Sequence, residues 1–240
     1  MSTWSTRRPG AADVLTLCNA LCGAAAILVI CWDEPVAALD VGQRYEVAAL
    51  LFVCGTVFDV LDGAAARRWG GTPLGGPLDC LADGVTFGVA PVVAVTAYVT
   101  SGSSSAEQLV VAAGALAYVA AALVRLADFM AHYRERSDFV GLPTTSACVA
   151  AVCLGFLSPP PALAGVGLAA LAFLMVSPLA YPAAARVLAV CLAGWALGVM
   201  GIIGVLDVRV PATLALLTIT LVVPVTTHIR ARAVAASASS

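Results

Sequence analysis

The sequence contains no lysine and little charge of any kind. All 12 basic residues are arginine, and charged residues make up 11% of the 240 positions. The absence of lysine excludes Schiff-base and lysine-nucleophile chemistry. The eight cysteines form no CxxC pair, so they indicate neither a zinc site nor a disulfide framework, and we interpret them as small apolar packing residues. No basic patch of the kind that binds nucleic acid is present.

Apolar residues are abundant. They make up 61% of the chain, and the mean hydropathy is +0.99, far above the range of soluble domains. No hydrophilic block is long enough to fold as a separate soluble module. We therefore predict a single membrane-embedded domain over residues 1–240, with a disordered tail at 233–240.

Hydrophobic runs separated by polar, proline or glycine residues set the expected helices. They cover residues 13–31, 45–69, 78–99, 107–133, 142–157, 161–178, 183–206 and 211–229. A helix needs roughly 20 apolar residues to cross a bilayer, so the fifth and sixth runs are marginal. The runs are too long and too continuous for the strands of a barrel. They predict an all-α integral membrane protein, a bundle of about eight transmembrane helices.

The arginines are distributed unevenly between the ends of the predicted helices. With the N-terminus inside, nine lie at cytoplasmic ends and only Arg44 and Arg209 at outer ends. The nine are Arg7, Arg8, Arg67, Arg68, Arg134, Arg136, Arg186, Arg230 and Arg232. This positive-inside bias requires an even number of spans. It predicts a protein of the cytoplasmic membrane with both termini in the cytoplasm.

Four aspartates interrupt the second and third runs. Asp59 and Asp62 are three residues apart and Asp79 and Asp83 are four apart, so each pair shares one helical face. The glycine- and proline-rich turn between the runs allows the two faces to meet. Clustered carboxylates at membrane depth repel each other and need a compensating cation. Because the donors are hard oxygens, we predict Mg²⁺, Mn²⁺ or Ca²⁺, and four carboxylates can hold two such ions.

The residues that follow Asp62 lack bulky side chains. Gly63 and the alanines at 64–66 leave the backbone open to a phosphate or nucleotide, and the Arg67 guanidinium can donate two hydrogen bonds to a phosphate. Three alternative roles for the aspartates are also open. They are helix capping or pairing with arginine, a cation or proton relay in a transporter, and intramembrane proteolysis, for which no GxGD motif is present.

The aspartate stretch resembles a known family signature. The pattern D-x-x-D-G-x-x-A-R, followed by G-x-x-x-D-x-x-x-D, is typical of the CDP-alcohol phosphatidyltransferases. Its fixed positions are Asp59, Asp62, Gly63, Ala66, Arg67, Gly75, Asp79 and Asp83, so the signature covers residues 59–83. The segments TLCNALCG, LDCLADGVTFGVAP, RLADF, FVGLP and LMVSPLAYP resemble parts of the phosphatidylserine synthase subfamily. Asp128 and Met130 depart from that subfamily, which usually has Arg and Asn at these positions.

The resemblance implies a fold and a reaction. The fold is a six-helix core, here with two further helices, in a homodimer. The reaction transfers the phosphatidyl group of CDP-diacylglycerol to the hydroxyl of L-serine and releases CMP at a cytoplasm-facing site. The resemblance assigns two Mg²⁺ or Mn²⁺ ions to Asp59, Asp62, Asp79 and Asp83, with Asp83 also as the general base. It places the CDP half against Gly63, Ala66, Arg67 and Gly75.

Three more residues are candidates for contacts with the acceptor or the lipid head group. Arg125 could bind the serine carboxylate or a lipid phosphate, or pair with Asp128 one turn away. Asn19 could contact the head group or form an interhelical hydrogen bond, and Tyr181 is an interfacial candidate. Acceptors other than serine, such as inositol phosphate or glycerol 3-phosphate, and an archaeal-type lipid remain open. A cation- or proton-coupled transporter is the alternative outside enzymes.

Overall fold

The fold is a bundle of helices with one very small sheet. The computed structural model describes residues 9–32, 34, 36–132, 139–178, 180–181 and 213. In chain order the elements are α1 (Ala11–Cys31), α2 (Val41–Trp69), α3 (Gly75–Asp83), a π-helical segment (Gly84–Val89), α4 (Ala90–Val99), α5 (Ser105–His132), β1 (Phe139–Val140), α6 (Thr144–Phe156), α7 (Pro161–Val176) and β2 (Ala180–Tyr181).

Within the described residues, four helical units are long and apolar enough to cross a membrane. They are Ala11–Cys31, Val41–Trp69, Gly75–Val99 and Ser105–Ala131, and the third joins α3, the π-helical segment and α4. Helices α6 and α7 are apolar but have only 13 and 16 residues, shorter than the roughly 20 that a span needs. The first six predicted runs are therefore confirmed as helices of a membrane protein. The runs at 183–206 and 211–229 lie outside the described residues apart from Thr213, so the count of about eight stays a prediction.

Helix α2 has clear signals at both ends. At its start Asp40 Oδ1 accepts a hydrogen bond from the Gln43 backbone N–H at 2.9 Å, and Gln43 Oε1 accepts one from the Asp40 N–H at 3.0 Å. This reciprocal pair satisfies two amide groups that a helix start leaves without partners. At its end Gly70 has φ +88°, a left-handed conformation that a glycine adopts without strain. Arg67 and Arg68 lie in the last turn, where cations interact favourably with the helix dipole.

The third span contains a change of helical pitch immediately after Asp83. Residues 84–89 are π-helical, and the helix continues as α4 without a break. A π-helix pairs each carbonyl with a later N–H than an α-helix does, and such segments are frequent at functional sites. The fully buried Tyr118 of α5 donates its hydroxyl to the carbonyl of Phe87 at 3.1 Å. This bond ties α5 to the altered turn.

A group of aromatic side chains joins α2, α4 and α6 at the end of the bundle away from the aspartates. Tyr45 stacks on Tyr98 with ring centroids 4.5 Å apart and meets Phe156 edge-on at 4.8 Å. The Tyr45 hydroxyl donates to the carbonyl of Val152 at 2.9 Å. Gly155 is needed beside this ring because a Cβ there would overlap the Tyr45 hydroxyl. We call Tyr45, Tyr98, Val152 and Phe156 the aromatic end.

The two short strands join segments that are distant in sequence. Phe139 pairs with Tyr181 and Val140 with Ala180 in an antiparallel arrangement. Next to them the Leu142 N–H donates to the carbonyl of Leu174 at 3.0 Å. The described parts of the segments FVGLP and LMVSPLAYP, both singled out in the sequence, therefore lie side by side, the first before the start of α6 and the second around the end of α7.

Candidate active site

Three of the four aspartates come together between α2 and α3. One carboxylate oxygen from each of Asp59, Asp79 and Asp83 lies within 4.8 Å of the others, and all three side chains are half-buried. We call these three residues the aspartate cluster. Asp59 comes from α2, whereas Asp79 and Asp83 lie one turn apart on α3, so the turn at 70–74 lets the two faces meet.

The aspartate cluster has the properties of a cation site. Asp79 Oδ1 is buried and has no hydrogen-bond partner among the described residues. A buried carboxylate oxygen without a partner is costly, and three neighbouring carboxylates add mutual repulsion. A divalent cation would remove both costs, and an all-oxygen donor set suits Mg²⁺, Mn²⁺ or Ca²⁺. The residues present therefore fit a hard divalent metal ion.

Asp62 is held differently from the other three aspartates. It is buried, and its Oδ2 accepts a hydrogen bond of 2.5 Å from the Thr16 hydroxyl on α1. The cluster of three carboxylates does not include it. The sequence reasoning missed Thr16, because nothing in the spacing of residues 46 positions apart signals the contact. One Asp62 oxygen is thus occupied within the protein.

Asn19 of α1 lies directly against the aspartate cluster. Its side chain is fully buried, and its amide Nδ2 donates to Asp83 Oδ1 at 3.0 Å. Its backbone carbonyl accepts a bond of 2.8 Å from the Thr86 hydroxyl in the π-helical segment. Of the two roles that the sequence left open for Asn19, the interhelical hydrogen bond is present, and contact with a head group stays a prediction.

The predicted nucleotide-binding residues border the same end of α2. The Arg67 guanidinium folds back over Gly63, where a Cβ would stand 3.3 Å from Arg67 Nη1. The absence of a side chain at Gly63 thus leaves space for the Arg67 guanidinium, a hydrogen-bond donor that could bind a phosphate. Ala66 is half-buried one turn after Gly63, and Gly75 begins α3 on the other side of the turn.

A further buried carboxylate, absent from the sequence-based candidates, lies next to Gly75. Asp13 is fully buried and accepts hydrogen bonds from the Thr72 hydroxyl at 2.8 and 3.0 Å and from the Gly10 N–H at 2.7 Å. A Cβ on Gly75 would lie 3.5 Å from Asp13 Oδ1. Asp13 thus attaches the start of α1 to the turn between α2 and α3. No motif could have revealed it, because Asp13 and Thr72 are 59 residues apart.

The acceptor candidates are described only in part. Arg125 is half-buried on α5, and its Nη1 donates to the hydroxyl of the buried Thr144 at 3.4 Å. Tyr181 is described through its backbone in β2, and its side chain lies outside the described residues. Of the two departures from the subfamily pattern, Asp128 is exposed. Met130 packs at the start of α3, where a Cβ on Gly76 would be 3.6 Å from its Cε.

Comparison with known proteins gives two matches. The sequence profile of the CDP-alcohol phosphatidyltransferases matches residues 10–191. A CDP-diacylglycerol–serine O-phosphatidyltransferase of Bacillus subtilis (strain 168) is 31% identical over 170 residues, which cover 70% of this chain and 88% of that protein. The first match includes every position of the aspartate cluster together with Asn19 and Arg125.

Proposed function

The chain belongs to the CDP-alcohol phosphatidyltransferase family, and on that premise we propose that it makes phosphatidylserine. The substrates would be CDP-diacylglycerol and L-serine, and the second product CMP. The observation that carries the proposal is the aspartate cluster, which fits the metal chemistry of phosphoryl transfer. The similarity to a CDP-diacylglycerol–serine O-phosphatidyltransferase and the segments outside the signature that resemble that subfamily favour serine as the acceptor.

The aspartates would hold two Mg²⁺ or Mn²⁺ ions. Asp59, Asp79 and Asp83 supply neighbouring oxygens, and Asp62 keeps one oxygen beyond the one that Thr16 occupies. When bound, the ions supply charge neutralisation for the diphosphate and for the attacking and leaving oxygens. The protein's own contribution is to hold these carboxylates in place before the substrate arrives.

Asp83 would act as the general base. The acceptor oxygen forms a bond to the lipid-side phosphorus, the bond from that phosphorus to the CMP oxygen breaks, and the hydroxyl proton passes to Asp83. Because Oδ1 of Asp83 already accepts from Asn19, we assign the proton to Oδ2. For this transfer the acceptor hydroxyl must lie within hydrogen-bond reach of Oδ2.

The remaining residues would bind and orient the substrates. Gly63, Ala66, Arg67 and Gly75 would contact the CDP half, with the Arg67 guanidinium on a phosphate. Arg125 would bind the carboxylate of serine, and Tyr181 and Asn19 are the other head-group candidates. Arg125 would reach the acceptor from α5 near the start of α6, where Thr144 accepts its hydrogen bond.

The position of the site suits both halves of the donor substrate. The aspartate cluster lies near the end of α2 that carries Arg67 and Arg68, and the arginine distribution predicts that this end faces the cytoplasm. A nucleotide from the cytoplasm and a lipid from the bilayer could both reach the cluster there. We further propose a homodimer in the cytoplasmic membrane with both termini inside.

A different acceptor is the second candidate. Asp128 and Met130 depart from the serine-specific pattern, and Met130 packs against the start of α3 near the aspartate cluster. A phosphorylated acceptor would be expected to need extra basic residues in its pocket, and the sequence offers only Arg125 and Arg186 as obvious candidates, which favours serine. The alternative from outside enzymes, a transporter, loses its support, because the family to which the chain belongs is one of transferases.

One assay separates these candidates. Purified protein in lipid nanodiscs is given CDP-diacylglycerol and Mn²⁺ or Mg²⁺, and CMP release is measured with L-serine, glycerol 3-phosphate, inositol or inositol phosphate. We expect release with L-serine. Release only with a phosphorylated alcohol would replace the serine assignment, and no release with any acceptor would contradict the transferase.

A further inference from the structure

Asn19 makes an unusual contact for a residue in the middle of an apolar helix. Its side chain is fully buried, and its only hydrogen bond among the described residues runs from Nδ2 to Asp83 Oδ1 at 3.0 Å. The two residues are 64 positions apart and belong to different helices. The contact is thus a tertiary link between α1 and the carboxylate that we assign as the base.

The other half of the Asn19 amide is left without a partner. Its Oδ1 is buried and accepts no hydrogen bond from any described residue. Burying an amide oxygen in this way costs about 1 to 3 kcal/mol, and an apolar side chain of the same shape would avoid the cost. Packing alone therefore does not explain why an asparagine occupies position 19. The hydrogen bond from its amide to Asp83 does.

The backbone of Asn19 is held in place as firmly as its side chain. The Thr86 hydroxyl donates to the Asn19 carbonyl at 2.8 Å. Thr86 lies in the π-helical segment only three residues after Asp83, so both bonds connect Asn19 to the same stretch of the third span. Two hydrogen bonds therefore link Asn19 to the short stretch from Asp83 to Thr86.

Two glycines allow α1 and α2 to approach the π-helical segment closely at Thr86. A Cβ on Gly23 would stand 2.6 Å from the Cα of Thr86. A Cβ on Gly55 would stand 2.8 Å from Thr86 Cγ2 and 3.1 Å from Asn19 Oδ1. At these two positions α1 and α2 therefore contribute no side chain of their own, which leaves room for Thr86 and for the Asn19 amide.

We propose that Asn19, held by Thr86, is a positioning residue that fixes the orientation of the Asp83 carboxylate. It occupies Oδ1 and thereby directs Oδ2 toward the acceptor hydroxyl. The proposal rests on the role of Asp83 in the proposed function and deepens it. It assigns Asn19 to the base and not to the lipid head group.

The matched variants remove one bond at a time. Asn19→Leu keeps the approximate shape and removes the bond to Asp83, and Asn19→Ala serves if the larger side chain does not fold. Thr86→Val removes the hydroxyl that holds Asn19, and Thr86→Ser keeps it. Thr56→Val is the control, because Thr56 is also buried on α2 but, among the described residues, its hydroxyl bonds only to the Phe52 carbonyl of its own helix.

Steady-state CMP release gives the first readout. A misplaced catalytic group costs on the order of 100-fold in rate, so we expect Asn19→Leu to lower kcat by about that factor. KM for CDP-diacylglycerol and for serine should stay within about twofold of the wild-type values. Thr86→Val should lose on the order of tenfold in kcat, Thr86→Ser should recover most of it, and Thr56→Val should match the wild type.

The second readout does not depend on turnover. The electron paramagnetic resonance spectrum of bound Mn²⁺ should change in Asn19→Leu, because the Asp83 carboxylate takes a new orientation, and it should not change in Thr56→Val. An unchanged kcat and spectrum in Asn19→Leu would overturn the proposal, as would a rise confined to the KM for serine. If the wild type releases no CMP, the proposed function fails, while the Mn²⁺ spectra still decide whether Asn19 orients Asp83.

Discussion

Helix α2 connects two regions that differ in whether their buried polar groups have hydrogen-bond partners. Near its start the Tyr45 hydroxyl has a full-strength hydrogen bond to Val152, and its ring is packed between Tyr98 and Phe156. Fourteen residues further along, about 21 Å by the rise of a helix, Asp59 lies in a group of carboxylates. There Asp79 Oδ1 is buried with no partner among the described residues.

The difference separates a region that stabilises the fold, the aromatic end, from a region that we propose serves function, the aspartate cluster. The aromatic end pairs its phenol groups and gains stability from ring contacts. Its neighbour Thr96 does leave a buried hydroxyl without a described partner, but a neutral hydroxyl costs far less than a carboxylate. The aspartate cluster places three carboxylates close together, and without a cation their mutual repulsion lowers stability. The contrast predicts that substitutions at the two ends affect different measurements.

Asp83→Asn should give the largest effect. It keeps the shape of the side chain and removes the proton acceptor, so we expect kcat to fall by at least about 1,000-fold. Binding of CDP-diacylglycerol, measured with a labelled lipid, should be retained. The control is Asp40→Asn at the other end of α2, since asparagine also caps a helix start. Full activity of Asp83→Asn would remove Asp83 as the base.

Metal should stabilise the protein through the aspartate cluster. A cation at 100 times its Kd adds about 2.7 kcal/mol to the free energy of unfolding of the wild type. In Asp79→Asn this gain should be mostly lost. The metal-free variant should be more stable than the metal-free wild type by about 1 kcal/mol, because one repelling carboxylate is gone. Thermal unfolding with EDTA or with Mn²⁺ measures both effects.

The control for metal stabilisation is Glu107→Gln. Glu107 caps the start of α5 through Ser104 and lies outside the cluster, so its loss should leave the response to Mn²⁺ unchanged. Equal stabilisation of the wild type and Asp79→Asn by Mn²⁺ would mean that the ion binds elsewhere.

Arg125→Gln should change the affinity for the acceptor. If the guanidinium binds the serine carboxylate, KM for serine should rise about tenfold, and KM for CDP-diacylglycerol should stay the same. The KM for serine of Arg125→Lys should lie between those of the wild type and Arg125→Gln, because an ammonium group keeps the charge but lacks the bidentate fork of a guanidinium. Arg44→Gln is the matched control, since Arg44 bonds to backbone carbonyls near the aromatic end. A rise in the KM for the CDP-lipid instead would assign Arg125 to a lipid phosphate.

The strong helical signals and the spacing of the aspartates were readable in the sequence. Six apolar runs correspond to helices within a few residues, because long apolar segments have few other structures in a membrane. The third run was predicted from residue 78, with a glycine- and proline-rich turn before it, yet α3 begins at Gly75. Glycine is a weak helix former, and here tertiary contacts outweigh that preference.

The contacts that complete the site were not readable. Thr16 reaches Asp62 and Thr72 reaches Asp13 across 46 and 59 residues of sequence, and such pairs follow from how helices cross. The π-helical segment after Asp83 has no compositional signature, because it differs from an α-helix only in which N–H each carbonyl pairs with. The bond from Asn19 to Asp83 depends on both features. The sequence could therefore name Asn19 without saying what it touches.

Tyr45→Phe should give the smallest effect and complete the contrast along α2. It removes only the hydroxyl that bonds to Val152, so we expect a loss of about 1 kcal/mol in the free energy of unfolding. The ring contacts with Tyr98 and Phe156 remain, and kcat at saturating substrate should stay within about twofold of the wild-type value. Unfolding midpoints and CMP release on the same preparation measure both. A large drop in kcat with unchanged stability would show that the aromatic end takes part in turnover, and the separation of roles along α2 would then be wrong.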